Sequence, residues 1–293
     1  MILLSLGSAL LAAVATIMAK YLLHEVPARR YLSFNFAVIS LLLLPGLPFF
    51  FYLTPTWRGC GVLFLTAMID GFANVGYFKA LERLEASIAS PLLGLAPLFT
   101  LLLAPLFAAA DLQTLTLRDS GGIILMLLGG VLLHRAQGPV ADEAPNPQKT
   151  QPHRARLLLL PLGTAVGAAA LFGGNVYLVK YLFTLEITNP YTYYLLRVAL
   201  ITALSAALWR PDWTWLTARK GGLVAGRAAL VIGQWQLFLH AVARGHPGVV
   251  KAVSETTPLF VALLSALALH ERLTRRKLAG IGLVIGGLWV ITV

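Results

Sequence analysis

Residues 135–156 read RAQGPVADEAPNPQKTQPHRAR. The segment is polar, holds four prolines and mixes charges of both signs. Such a composition makes a linker rather than the interior of a helix or strand. Its neighbours make it decisive. Outward in both directions the chain is apolar, and every other junction is short. A membrane-spanning helix needs roughly 20 mostly apolar residues. That ruler finds candidate spans at 2–23, 31–53, 59–81, 86–109 and 119–134 before the segment. After it come 157–182, 190–209, 220–243, 247–270 and 277–293. The expected organisation is a first five-helix unit over 1–134, a polar linker over 135–156, and a second five-helix unit over 157–293.

Composition agrees. Of 293 residues, 58% are hydrophobic and 12% charged, and the mean hydropathy is +0.79. A soluble domain carries roughly 25% charged residues. This chain has too little polar surface to coat a soluble core, which also excludes a disordered chain and a disulfide scaffold. The 23 Lys and Arg against 12 Asp and Glu give a net charge of +11. In a membrane protein such an excess belongs to cytoplasmic loops, so no nucleic-acid partner is expected. The lone cysteine, Cys60, excludes an internal disulfide and a cysteine-rich metal site. No basic residue precedes the run that starts at Ile2, so it reads as a first span and not as a cleaved signal peptide.

The two halves resemble each other. With residue n set against n+161, Arg58 meets Arg219, Gly61 meets Gly222, Ala80 meets Ala241 and Arg83 meets Arg244. Pro97-Leu98-Phe99 meets Pro258-Leu259-Phe260 at the same offset, and Lys20-Tyr21-Leu22 echoes Lys180-Tyr181-Leu182 with a one-residue slip. Matched prolines and arginines at one offset point to a duplication. Five spans per half is odd, so the halves enter the membrane from opposite sides and form an inverted repeat. Fifteen of the basic residues fall in the loops after spans one, three, five, seven and nine, against at most four on the other side. The positive-inside rule then expects a cytoplasmic linker and both termini outside.

The pattern Ala-x-x-Arg followed, after thirteen intervening residues, by Pro-Leu-Phe occurs at 80–99 and again at 241–260. The second copy runs on into LxERLTRRKLAGIGLVIGGLWV, ending at Val290. These segments resemble the EamA-type members of the drug/metabolite transporter superfamily. In the first half the match is looser, with Asp111-Leu112-Gln113 where Glu-Arg-Leu is expected. The resemblance implies an all-α integral membrane protein: ten transmembrane helices as two inverted five-helix repeats around a central cavity, with spans five and ten peripheral. It implies a secondary carrier. Many such relatives have cytoplasmic termini, whereas the charge count of this chain points the other way.

A charge at mid-membrane costs at least ~2.5–3.5 kcal/mol on insertion scales, so it faces a cavity or a partner. Five such residues stand out: Asp70, Arg197, Arg227, Lys251 and Glu255. Lys251, Ser254, Glu255 and Pro258 recur at helical spacing and share a face. Asp70, Asn74 and Tyr77 do so on span three, and Arg227, Gln234 and Phe238 on span eight, with Trp235 beside Gln234. Lys251 and Arg197 are the expected anchors for substrate, joined by Asn74, Tyr77, Asn175, Gln234, Trp235 and Ser254. Glu255 and then Asp70 are the expected coupling groups. Asp70 equally suits a structural pair with Arg227 or Arg197, and Arg227 is such a partner or a cavity charge. Tyr191, Tyr193 and Tyr194 read as an interfacial belt, as do Trp57, Trp209, Trp213 and Trp215. Pro97 and Pro258 free mid-helix carbonyls and are expected hinges.

Enzyme chemistry finds no foothold. His270-Glu271 lacks a second histidine at metal spacing, and there is no Gly-x-Ser-x-Gly or phosphate loop. No cofactor or metal is expected. The sequence reads as a secondary transporter of a small anionic or zwitterionic, amino-acid-like metabolite in an inner membrane. It would work by alternating access as a monomer, with protons as the candidate coupling ion. The alternatives are a lipid-carrier translocator of the same superfamily and a non-transporting membrane scaffold.

Overall fold

The computed structural model describes residues 2–96, 98–100, 151–208, 213–244, 253–254, 256–269 and 273–292, with isolated positions in 102–132 and Val250 besides. Among these residues every named element is helical. In order they are α1 (Ile2–Leu23), α2 (Ala28–Leu43), a 3₁₀ turn (Leu44–Gly46), α3 (Leu47–Phe50), α4 (Trp57–Arg83), α5 (Ala86–Leu93), α6 (Gln151–Thr184), α7 (Pro190–Leu208), α8 (Ala218–Arg244), α9 (Thr257–Ala268) and α10 (Arg275–Thr292).

Six helical stretches among the described residues are long and apolar enough to cross a membrane: Ile2–Leu23, Ala28–Phe50, Trp57–Arg83, Leu160–Thr184, Pro190–Leu208 and Ala218–Arg244. Their outer faces carry bare apolar side chains, such as Leu3 and Phe49. Lipid takes the place of water for such groups, and a helix satisfies its own backbone there. The chain is a multi-pass integral membrane protein.

The departures from uniform spans have local causes. The second stretch tightens into the 3₁₀ turn at Pro45 and restarts over Pro48, because proline cannot donate to the ladder. The expected fourth span is interrupted. Pro91 sits inside α5, Gly94 closes it, and the chain continues through i→i−3 bonds from Leu95 to Leu92 (3.3 Å) and from Leu98 to Leu95 (3.0 Å). The expected ninth span is interrupted in the same way. Thr256 bonds back to Val253 at 3.2 Å, and α9 starts afresh with Pro258 in its first turn. Pro97 lies outside the described residues. So does most of the fifth span, although Gly129 is seen against the Gly280 carbonyl and Val284. Helix α6 starts at Gln151, inside the expected linker. Pro152 falls in its first turn, where a missing N–H is harmless.

Two antiparallel helix pairs frame the centre. In the first, α1 packs on α8: Gly7 faces Leu237, Gly233 faces Leu11 and Gly226 faces Met18. In the second, α4 packs on α6. Gly76 faces Thr164 and Ala168, and Asn175 donates to the Thr66 carbonyl at 3.3 Å. Glycine lets the backbones approach where hydrophobic drive between helices is absent. Helices α2 and α7 pack on each other between these pairs. The α3–α4 and α6–α7 connections are tied together by Thr54 N–H to the Ile187 carbonyl and by Asn189 to the Phe50 carbonyl, both at 2.8 Å.

Candidate functional site

The framing helices enclose a cavity of about 210 Å³. Its wall draws on α1, α2, α4 to α9 and the interruptions after α5 and before α9. Irregular backbone at membrane depth is tolerated where it borders such a cavity.

The polar floor begins with α4. At helical spacing, Asp70, Asn74 and Tyr77 all reach the cavity, and Asn74 also donates to the Asp70 carbonyl one turn back at 2.8 Å. From α7, Arg197 approaches the same carboxylate. Its Nε lies 2.5 Å from Asp70 Oδ2, with the two side chains 1% and 3% exposed. Tyr193 donates to that oxygen at 3.5 Å. Of the two partners open to Asp70 in the sequence, the structure selects Arg197.

The rest of Arg197 is held by aromatic faces. Its guanidinium carbon is 4.0 Å from the Trp235 ring centroid and 5.5 Å from that of Tyr194. The two rings are themselves stacked, with centroids 5.8 Å apart. A cation over an aromatic face is attracted by the ring quadrupole, most strongly when desolvated. Arg197 Nη1, Tyr194 OH, Asn175 Oδ1 and Ser254 Oγ are buried without hydrogen-bond partners among the described residues, all on residues of the cavity wall.

Arg227, on α8, is treated differently. Its Nε donates to the Ala15 carbonyl at 3.0 Å and its Nη1 to Asn35 Oδ1 at 2.5 Å. Its guanidinium lies 5.4 Å from the Phe78 ring and 5.7 Å from that of Tyr31. It is 4% exposed and lines the cavity, yet no carboxylate pairs with it among the described residues. Asp70 pairs with Arg197, so among the described lining residues Arg227 is left as the cation not matched by a carboxylate. Gln234 and Trp235, further along α8, reach the cavity too, as do Ser254 and Pro258. Lys251 and Glu255 lie outside the described residues.

Two sets of aromatic residues depart from expectation. Tyr193 and Tyr194, expected in an interfacial belt, are 0% and 1% exposed and line the cavity. Helix α7 begins at Pro190, so they are its fourth and fifth residues, and their spacing to Arg197 turns them inward. Trp215, expected beside them, is half-buried against Phe34, unlike the bare Trp57. Sequence reasoning also missed Asn35 and Thr16. Asn35 holds Arg227, and Thr16 pairs with Tyr77 OH at 3.1 Å across the α1–α4 contact. Neither carries a charge, and a single amide or hydroxyl in a span gives no periodic signal.

The EamA-like transporter family matches residues 1–135 and 159–293. A solved crystal structure is similar over 98% of this chain and 98% of its own, with a TM-score of 0.62 and 18% sequence identity. At that identity the likeness concerns the fold alone. No curated protein is significantly similar in sequence.

Proposed function

Because the chain belongs to the EamA-like transporter family, a membrane transporter family of the drug/metabolite type, we propose that it is a secondary carrier. Its solute is a small anionic or zwitterionic metabolite, amino-acid-like in bearing a carboxylate. The carrier works by alternating access between two inverted repeats, 1–134 and 157–293, in an inner membrane. The positive-inside count favours a cytoplasmic linker and external termini.

The repeat reading has structural support. Adding 161 to the bounds of α4, Trp57–Arg83, gives 218–244, the bounds of α8. The same shift carries the end of α1 at Leu23 onto the end of α6 at Thr184. It exchanges the α1–α8 pair with the α6–α4 pair, and it brings Gly94 to within one residue of Thr256, where the two interrupted spans break.

One observation carries the choice of solute: Arg227 is a buried cation on the cavity wall whose protein partners are neutral. An uncompensated buried charge is costly, and a carboxylate with hydrogen-bond geometry relieves that cost. This moves the anchor from Arg197, which Asp70 already neutralises, to Arg227. Lys251 stays a second proposed anchor, with Asn74, Tyr77, Asn175, Gln234, Trp235 and Ser254 orienting the remainder. Glu255 and Asp70 stay the proposed proton-coupling groups, and Pro97 and Pro258 the proposed hinges.

Proteoliposome uptake across a panel of carboxylic, cationic and neutral solutes tests this reading. Saturable uptake of a carboxylate-bearing solute is expected, reduced roughly tenfold or more in Arg227→Met, the factor for losing one charge-assisted hydrogen bond. The variant should stay monodisperse, since it removes an uncompensated charge. Uptake confined to cations or neutral solutes would overturn the assignment, and movement of lipid alone would favour a translocator.

A further inference from the structure

Lys20 and Lys180 are buried or half-buried cations that the cavity does not use. Each reaches from one helix to the exposed carbonyls at the end of another. Lys20, on α1, donates to the carbonyls of Leu81 and Leu84 at the end of α4, both at 2.8 Å. Lys180, on α6, donates to the carbonyl of Val242 at the end of α8, at 3.3 Å. The last four carbonyls of a helix have no partner within it, and an ammonium there also meets the negative end of the helix dipole.

The two contacts correspond. Leu81 and Val242 are related by the offset of 161, and Lys20 and Lys180 by the same offset with its one-residue slip. They also stand at opposite ends of the cavity. Along the antiparallel α1–α8 pair, Ala15 is level with Arg227 and Gly7 with Leu237. Lys20 is therefore level with about residue 224, some 18 residues before Val242, or about 27 Å at 1.5 Å per residue. That is nearly the full thickness of a bilayer core.

They differ in how firmly they are made. Lys20 is 7% exposed and holds two carbonyls on residues that are themselves 0% exposed and lie behind the cavity wall. Lys180 is half-buried and makes one longer bond among the described residues, and its acceptor residue, Val242, lines the cavity. Other ties also gather at the Lys20 end. Lys277 is ion-paired with Glu85, Lys220 lies 2.8 Å from Glu25, and Glu82 accepts from the Ala28 N–H at 3.3 Å. At the Lys180 end the bonds between residues 50–54 and 186–189 join two connections, and among the described residues α6 and α8 meet there through the Lys180 bond and the packing of Phe183 on Ala241 and Val242.

We propose that Lys20 and Lys180 are matched latches, one for each end of the cavity, and that transport exchanges which of them is fastened. In the form described here the Lys20 latch is closed and the Lys180 latch is loosened. In the opposite form Lys180 takes a second carbonyl at the end of α8, as its ammonium has donors to spare, and Lys20 lets go of one of its two. The proposal rests on the alternating-access reading but not on the nature of the solute.

The test needs no solute, so its failure is separable from failure of the solute assignment. Cys60 is the only cysteine and is exposed, so Cys60→Ser gives a clean background for Ser90→Cys, a reporter on the cavity wall. A membrane-impermeant thiol reagent is applied to each face of vesicles of known sidedness. Lys20→Met should speed labelling from the Lys20 face and slow it from the other. Lys180→Met should do the reverse. Each change should be roughly tenfold, the factor for one charge-assisted hydrogen bond. If Lys20→Met does not fold, Lys20→Gln and the Lys180→Met arm decide. Equal rates in all variants, or the same change from both lysines, would show that they are static caps and overturn the proposal.

Discussion

Replacing Asp70 by asparagine keeps the shape of the side chain and removes only its charge. In the native protein Asp70 and Arg197 lie 2.5 Å apart with side chains 3% and 1% exposed, so neither charge has water to fall back on. Removing one partner of such a pair costs about 3–5 kcal/mol, because the other is left buried and unpaired. Arg197 keeps its contact with Trp235 at 4.0 Å, and a desolvated cation–π contact is worth about 2 kcal/mol. It therefore stays put and bears the cost. Asp70→Asn should accordingly lower the unfolding free energy by about 3–5 kcal/mol. The double variant Asp70→Asn, Arg197→Met removes both charges and forfeits the cation–π contact, so it should lose only about 2 kcal/mol. The second substitution thus restores about 1–3 kcal/mol of what the first removed. Equilibrium unfolding in mixed micelles, followed by circular dichroism, measures all the corners of this cycle. An Asp70→Asn protein as stable as the wild type, or a double variant less stable than either single one, would refute the reasoning.

Gly173 lies against the Ala96 carbonyl, with Thr100 donating to its own carbonyl at 2.9 Å. Gly173→Leu should therefore cost about 1–3 kcal/mol or more, because the obstacle is backbone, and thermal unfolding of the purified variant checks it. Glu255→Gln should keep solute exchange but lose accumulation driven by a pH gradient, and unchanged accumulation would make Glu255 structural. A reporter fused after Val293 should give external activity, whereas cytoplasmic activity would reverse the orientation and leave the fold intact.

The membrane class and the crowding of polar groups into one cavity follow from helical spacing. Asp70, Asn74 and Tyr77 recur every third or fourth residue, as do Gln234 and Phe238 beyond Arg227, and a helix can only bring such residues to one side. What spacing cannot supply is the partner across the cavity. Asp70 had two arginines within reach of its sequence pattern, and only the packing of α7 beside α4 selects Arg197. The inward turn of Tyr193 and Tyr194 was hidden for a related reason. A tyrosine near the start of a span looks interfacial until its distance from Arg197 along the same helix is weighed. Lys20 and Lys180 were visible as marks of the repeat, yet their acceptors are backbone carbonyls, which leave no trace in the sequence.

The contact of the Arg197 guanidinium with both the Trp235 and Tyr194 rings has an optical consequence. The chain has six tryptophans. Trp57 and Trp213 are exposed on the outer surface and Trp215 is half-buried away from the cavity, but Trp235 is on its wall. An indole held against a cation emits differently from one facing lipid or solvent. Lipid-soluble quenchers would silence the exposed tryptophans first and enrich the signal in the Trp235 contribution. The protein thus carries a native fluorophore at the point where a bound solute would disturb the guanidinium, and occupancy of the cavity can be followed as a change in emission with no label attached.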